Sequence, residues 1–380
     1  MKFMHLADLH LGKRVNEFSM LEDQKYVLEQ VLSLIDEEHA DGVLIAGDIY
    51  DRQVPSVEAV RLCDDFLTSM AKRHVPVYLI SGNHDSIERV SFGARLMEGS
   101  GIYMATEYDG EVDVVTAEDE YGAIDIYLLP FLKPAQVRAV WGEEAENIKT
   151  YQDALSFVIG KMTRDEDRRS ILLAHQFVAG GAVCESEEHA VGGLDQVDAA
   201  CFDGFDYVAL GHLHGAQNTG RESVRYAGTL LKYSFSEINH KKSVTFVELR
   251  EKGCVDIHTR PISPLHEMRR IRGSYAEVTS KLSYENTDTK DYVHITLTDE
   301  EDVFDAVGKL RAIYPNLMKL SYDNTRTRQG QSVTVSGEEE KKDPLTLTEE
   351  LFVMQNNKPM SDEQRGYMLE MIRKVWEEER

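Results

Sequence analysis

Gly42-Val43-Leu44-Ile45-Ala46-Gly47-Asp48-Ile49-Tyr50-Asp51 is the stretch whose reading decides the fold. Its first five residues carry no charge and read as a strand buried on both faces, while the glycine and two carboxylates that follow mark the turn at its end. Similar short β-type runs occur at Phe3–Ala7, Val75–Ser81, Ile124–Pro130, Ile171–Ala174, Tyr207–Leu210, Ser223–Ala227 and Ser243–Leu249. Helical spacing fills the early gaps, with Leu21, Val27, Leu28, Val31, Leu32 and Ile35 in one and Val57, Val60, Leu62, Phe66, Leu67 and Met70 in the next. Strands alternating with helices predict an α/β sheet whose ligand site lies at the carboxyl ends of the strands. The closer spacing of the later strands predicts an antiparallel or second sheet there.

Five polar clusters each follow or end one of these runs: Asp8-Leu9-His10, Gly47–Asp51, Gly82-Asn83-His84-Asp85, His175, and Gly211-His212-Leu213-His214. Strand ends converge on one rim of a sheet, so residues two hundred positions apart can share a pocket. Strand alternation would aim Asp8 and His10 at one ion, and His212 and His214 likewise across a slightly opened turn. Carboxylate, amide and imidazole groups without a thiol suit manganese, iron or magnesium, and also zinc. Any one of these residues alone reads as an ordinary turn former or core histidine; all seven ligand-type positions together read as a metal site.

The series D-x-H, G-D-x-x-D, G-N-H-D, a lone histidine and G-H-x-H resembles the calcineurin-like metallophosphoesterase superfamily. That resemblance implies two divalent ions, most often Mn2+. Asp8, His10, Asp48 and His214 would surround one; Asp48, Asn83, His175 and His212 would hold the other, with Asp48 bridging. His84 would face the substrate phosphate, oriented by Asp51. Two such ions acidify a water and neutralise charge on a phosphodiester during displacement. Finer stretches, including Asp8–Gly12, Gly47–Pro55, His175-Gln176, Tyr226-Ala227-Gly228-Thr229 and Ser234-Phe235-Ser236-Glu237, are similar to the SbcD nuclease family. This second resemblance implies a two-sheet sandwich flanked by helices, a small α+β capping domain and a C-terminal helical segment. It also implies 3′-to-5′ exonuclease activity on duplex ends, endonuclease activity on single strands or hairpins, and an SbcC-type ATPase partner with a coiled coil. The competing expectations are a phosphodiesterase or phosphatase acting on a nucleotide or phosphoprotein, and a scaffold that has lost its metals.

The chain's 380 residues, 42% of them hydrophobic, exceed one ordinary domain. Four parts are expected: a nuclease domain over 1–262, a capping domain over 263–335, a charged linker over 336–343 and a partner-binding segment over 344–380. A net charge of −25 at pH 7 opposes nucleic-acid binding, which relies on a basic surface. Residues 265–330 are nearly balanced, however, and Arg269, Arg270, Arg272, Arg326 and Arg328 are the candidate DNA contacts. Met368, Ile372 and Val375, along the last amphipathic helix, are candidates for the ATPase partner; Ser361 and Gln364 are placed to cap that helix. The helices near 57–70 and 86–97 resemble the family's dimer bundle, with Leu67, Phe92 and Leu96 as candidates for burial between subunits. No apolar run approaches the roughly 20 residues of a membrane helix, and the opening residues lack the pattern of a secretion signal, so a cytoplasmic location is expected. Cys63, Cys184, Cys201 and Cys254 form no C-x-x-C pair and read as reduced, mostly buried thiols.

Overall fold

The computed structural model describes residues 1–187, 195–331, 344–356 and 358–378. The expected linker over 336–343 lies outside them, as does His189. The chain divides into two compact units, Met1–His266 and Glu267–Arg380.

Two six-stranded sheets build the first unit. One runs Val255–Pro261, Ser243–Leu249, Lys2–Leu6, Gly42–Ala46, Val77–Ile80, Ile102–Ala105; the other runs Gln217–Thr219, Arg221–Tyr226, Tyr207–Gly211, Arg169–His175, Gly122–Leu129, Asp113–Asp119. In each sheet four neighbouring strands are parallel and the remaining strands pair antiparallel at an edge. The later strands divide as expected: 169–175, 207–211 and 221–226 lie in the second sheet, while 243–249 and 255–261 pair antiparallel at the edge of the first. Alternation divides each strand's side chains between two cores. Phe3, Leu44, Tyr78 and Ile80 from one sheet meet Ile126, Ile171, Leu173 and Tyr207 from the other between the layers. Leu172, Val208 and Leu210 point outward onto the helix Tyr151–Lys161. With both faces of both sheets covered, the free ends of the parallel strands are the place left for a site.

The residues singled out from the sequence divide in this unit. Leu67, on the inner side of the helix Val57–Lys72, is 7% exposed and packs within its own chain, so it has little surface to give a partner. Phe92 and Leu96 stand 84% and 85% exposed in a segment that breaks into the single turns Ile87–Val90 and Ala94–Met97. Of the cysteines only Cys63 is buried, and Cys254 is exposed.

The second unit carries a parallel three-stranded sheet, Met268–Gly273, Tyr292–Leu297 and Leu317–Tyr322. Val293, Ile295 and Leu297 cover one face with Leu310 and Tyr314. The helix Ala306–Arg311 precedes the third strand, and the connection after the first strand holds two single turns, Tyr275–Val278 and Lys281–Tyr284. Four of the five candidate arginines are ion-paired within the unit: Arg269 and Asp291 at 2.6 Å, Arg326 and Asp302 at 2.8 Å, Arg328 and Asp323 at 2.8 Å, and Arg272 with Asp323. Three carboxylates thus answer four arginines, Asp323 serving both Arg272 and Arg328, and Arg270 stands exposed. The helices Pro344–Asn356 and Asp362–Glu378 follow. Ser361 and Gln364 cap the last one reciprocally, Ser361 N–H to Gln364 Oε1 at 3.0 Å and Gln364 N–H to Ser361 Oγ at 3.2 Å. Met368 and Ile372 are half-buried, whereas Tyr367, Leu369 and Met371 are the exposed apolar side chains among those described in that helix. The side chain of Val375 lies outside the described residues.

Candidate metal centre

Asp8 and His10 lie beyond their strand, which ends at Leu6, so strand alternation does not bring them together. Their backbones are left-handed instead, with φ of 53° and 44°; Asp48 is at 52°. Such conformations cost about 1–3 kcal/mol each in non-glycine residues and persist where the surroundings enforce them. Here Asp8 N–H donates to the Gly47 carbonyl (3.0 Å), His10 N–H to Asp48 (2.9 Å) and Leu11 N–H to Ile49 (2.9 Å), which lays the first two motif turns side by side. His212, at φ 106°, also follows its strand rather than belonging to it, and its N–H donates to both carboxylate oxygens of Asp8 at 3.0 and 3.1 Å. A Cβ on Gly211 would enter the Ala46 carbonyl oxygen, and one on Gly82 would enter the Asp48 carboxylate. The two sheets close on each other at this rim because those side chains are absent.

All seven candidate ligands meet here. His10 Nε2 lies 3.2 Å from His214 Nε2 and 3.7 Å from Asp48 Oδ2, and Asp8, His10 and His214 have ligand atoms within 4.8 Å of one another. On the other side Asn83 Oδ1 is 3.0 Å from His175 Nε2 and 3.1 Å from His212 Nδ1, and His175 Nε2 is 3.4 Å from Asp48 Oδ2. Asp48 therefore touches both groups. His84 is half-buried, edge-on to the His10 ring at 4.9 Å.

These groups ask for positive charge among them. His175 Nδ1 faces the Ala46 carbonyl at 2.8 Å, an oxygen that only accepts, so Nδ1 is protonated and Nε2 looks into two oxygens. In metal-free protein a second proton answers that need. Burial disfavours it, but the Asp48 carboxylate outweighs burial and pushes His175 up to about 9. Asp48, despite burial, is held well below the usual carboxylate range by His175 and His10. Burial drives His212 down to about 3, leaving it a neutral donor, and raises Asp8 well above its ordinary value. The residues fit a divalent cation, whose binding would displace these protons.

Sequence reading left some supporting residues without a role. Asp85 takes N–H bonds from Ile49 (3.1 Å), Tyr50 (3.0 Å) and Gly82 (2.9 Å) and so locks the second motif turn to the third. Burial and Asp48 push its carboxyl up to about 6. Its signal was available as the last letter of Gly-Asn-His-Asp. Gln24, which donates to the His10 carbonyl at 2.7 Å, belongs to no motif and had no signal. The orienting contact expected from Asp51 is corrected in its chemistry: the Asp51 carbonyl meets His84 Nδ1 at 3.2 Å, while its carboxylate pairs with Lys13 Nζ at 2.7 Å.

Residues 1–216 match the calcineurin-like phosphoesterase family, and residues 264–356 match the type 5 capsule protein repressor C-terminal domain. The chain belongs to the calcineurin-like phosphoesterases, hydrolases built on a divalent-metal site. It is 33% identical over 323 residues to the SbcD component of the SbcCD nuclease of Staphylococcus epidermidis, covering 84% of each chain. The same component from Staphylococcus saprophyticus is 34% identical over 323 residues, again 84% of each. Within the family the chain is therefore of the SbcD type. Among the described residues no helix is long and apolar enough to cross a membrane.

Proposed function

We propose that the chain is a metal-dependent DNA nuclease that works in the cytoplasm with an SbcC-type ATPase in end processing, repair and recombination. It removes nucleotides 3′ to 5′ from duplex ends and cuts single strands and hairpins. The observation that carries this reading is the sharing of Asp48 by two ligand groups beneath His84. Asp8, His10, Asp48 and His214 would hold one ion; Asp48, Asn83, His175 and His212 would hold the other. Mn2+ is the first choice, with Mg2+, Fe2+ and Zn2+ as alternatives. Bound, the pair supplies an acidified water and neutralises the phosphodiester's charge. His84, anchored through Nδ1 on the Asp51 carbonyl, keeps Nε2 for the substrate, where the imidazolium would donate to the departing oxygen.

Residues 1–262 would be the nuclease domain, 263–335 the DNA-contacting cap, 336–343 a linker and 344–380 the segment that grips the ATPase's coiled coil. Since most of the candidate arginines are paired, DNA contact shifts to the sheet face opposite the cap's core, where register sets exposed Arg270 and Lys319 on either side of His294. Partner docking likewise shifts to Tyr367, Leu369 and Met371. The homodimer would bury Phe92 and Leu96 beside an apolar cavity of about 720 Å³ lined by Val60, Leu67 and Met97. Sedimentation velocity should show the parent as a dimer and Phe92→Glu as a monomer; a monomeric parent removes this part of the reading.

The deciding assay compares end-labelled duplex and hairpin DNA with p-nitrophenyl phosphate esters, with Mn2+ and with a chelator. Mn2+-dependent cleavage of DNA is expected. Turnover of the small esters with DNA left intact would favour the phosphodiesterase or phosphatase alternative.

A further inference from the structure

The stretch Ser234-Phe235-Ser236-Glu237 has no part in the chemistry so far, yet Glu237 is wholly buried beside the centre. Its Oε2 lies 2.6 Å from Lys242 Nζ, which also donates to Thr229 Oγ1 at 2.6 Å and to the His214 carbonyl at 3.0 Å. A buried carboxylate and ammonium in contact, with their other positions hydrogen-bonded, satisfy each other as ions. Oε1 accepts from Tyr233 N–H at 3.1 Å and lies 2.7 Å from Ser186 Oγ, which in turn lies 2.8 Å from His214 Nδ1.

The directions of these bonds are forced. A carboxylate accepts only, so the single hydroxyl proton of Ser186 goes to Glu237. The Ser186 oxygen must then accept, and His214 Nδ1 must carry the proton. That leaves His214 Nε2 with a lone pair aimed at His10 Nε2, 3.2 Å away. The next residue along holds the same histidine by its main chain, since His214 N–H donates to Glu187 Oε1. His10 is held less firmly: among the described residues its Nδ1 is buried with no hydrogen-bond partner. In metal-free protein, His10 Nε2 must therefore be the donor into the His214 lone pair.

We infer that Lys242, Glu237 and Ser186 form a positioning relay that fixes the tautomer of His214 and so presents its Nε2 as a ready ligand. The inference rests on the metal-centre reading above, in which His214 Nε2 meets the ion shared with Asp8, His10 and Asp48. None of the three relay residues touches the reacting atoms. Their effect passes through the imidazole, as outer partners of ligand histidines generally act.

The test uses the full chain, stripped of metal and labelled with 15N-histidine, for ring-nitrogen NMR and for Mn2+ titration calorimetry. In the parent, His214 should be the Nδ1–H tautomer. In Ser186→Ala, which removes one oxygen and leaves the Glu237–Lys242 pair in place, it should become a mixture, and affinity for one of two Mn2+ ions should fall about 10–100-fold. Ser186→Thr should restore both. Glu237→Gln is sharper: Lys242 will claim the amide oxygen, the amide N–H will donate to Ser186, and the reversed relay should drive His214 to the Nε2–H form. A residue serving only the packing would leave the tautomer alone. Retention of Nδ1–H by His214 in both Ser186→Ala and Glu237→Gln, or unchanged Mn2+ affinities in Ser186→Ala, would overturn the relay. If the parent binds no Mn2+, the metal-centre reading fails, and the tautomers still decide the relay separately.

Discussion

Asp48→Asn is expected to weaken Mn2+ binding at both ion positions together and to bring DNA cleavage down to the uncatalysed background. The expectation follows from where its carboxylate sits. Oδ2 is 3.7 Å from His10 Nε2 in one group and 3.4 Å from His175 Nε2 in the other. Oδ1 meanwhile accepts from the His84 N–H at 2.9 Å. An asparagine keeps the size and an acceptor for His84, so the turn should hold its shape. What goes is the buried negative charge, and in a site shielded from water a charge is worth several times what it is worth outside. Removing a supporting residue costs about 10–100-fold in metal affinity, and losing a shared ligand should exceed that at each position. His175 offers an internal check. Asp48 is what lifts it to about 9, so the variant's His175 should titrate far lower, as burial demands once its counter-charge is gone. Calorimetry on metal-free protein, ring NMR of His175 and cleavage of a labelled hairpin read the three outcomes. Parent-like affinity at either ion would mean that Asp48 serves one position alone. A chelator-treated variant with the parent's thermal midpoint would show that folding is not the cause.

The strand Gly42–Ala46 was legible to the residue, as was Ser243–Leu249, because a short apolar or alternating run between turn residues has few other uses. Legible too was the convergence of Asp8, His10, Asp48, Asn83, His175, His212 and His214, since each follows or ends a strand. Hidden were the edge strands Ile102–Ala105, buried only at its two ends, and Asp113–Asp119, whose exposed Asp113, Thr116 and Glu118 give no buried pattern. The reason for the convergence was also misread. Asp8, His10 and His212 are brought inward by left-handed turns, and a turn conformation set by main-chain hydrogen bonds to another motif cannot be read from spacing within one motif. The arginines show a further limit. A cluster such as Arg269–Arg272 announces charge, but whether Asp291 and Asp323 cancel it depends on strand pairing, which composition does not carry.

His84→Gln should separate binding from chemistry, because it should keep both ions and still lose cleavage by about 10²–10⁴-fold. His84 differs in kind from the seven inner residues. It stands half-buried at the mouth of the site, edge-on to His10, and its one hydrogen-bonded ring nitrogen is engaged by the Asp51 carbonyl at 3.2 Å. Because a carbonyl can only accept, Nδ1 is the donor there, which leaves Nε2 as the place for a second proton. An imidazolium so held is a dedicated acid for an oxygen leaving a phosphodiester. Glutamine matches its reach and can donate a hydrogen bond, yet it cannot give up a proton at neutral pH, so ground-state affinity for DNA should change little while the cleavage rate collapses. A ring nitrogen of His84 lies close enough to ligand atoms of His10 and Asp48 to share an ion with them, and the variant distinguishes the two roles. If His84 were a ligand, Mn2+ affinity would fall along with activity. If it were a transition-state donor, calorimetry would match the parent and single-turnover cleavage alone would drop. A stronger leaving group in the substrate then provides the decisive comparison: an ester whose departing oxygen needs no proton should recover most of the lost rate in the variant, and failure to recover it would remove His84 from the acid role.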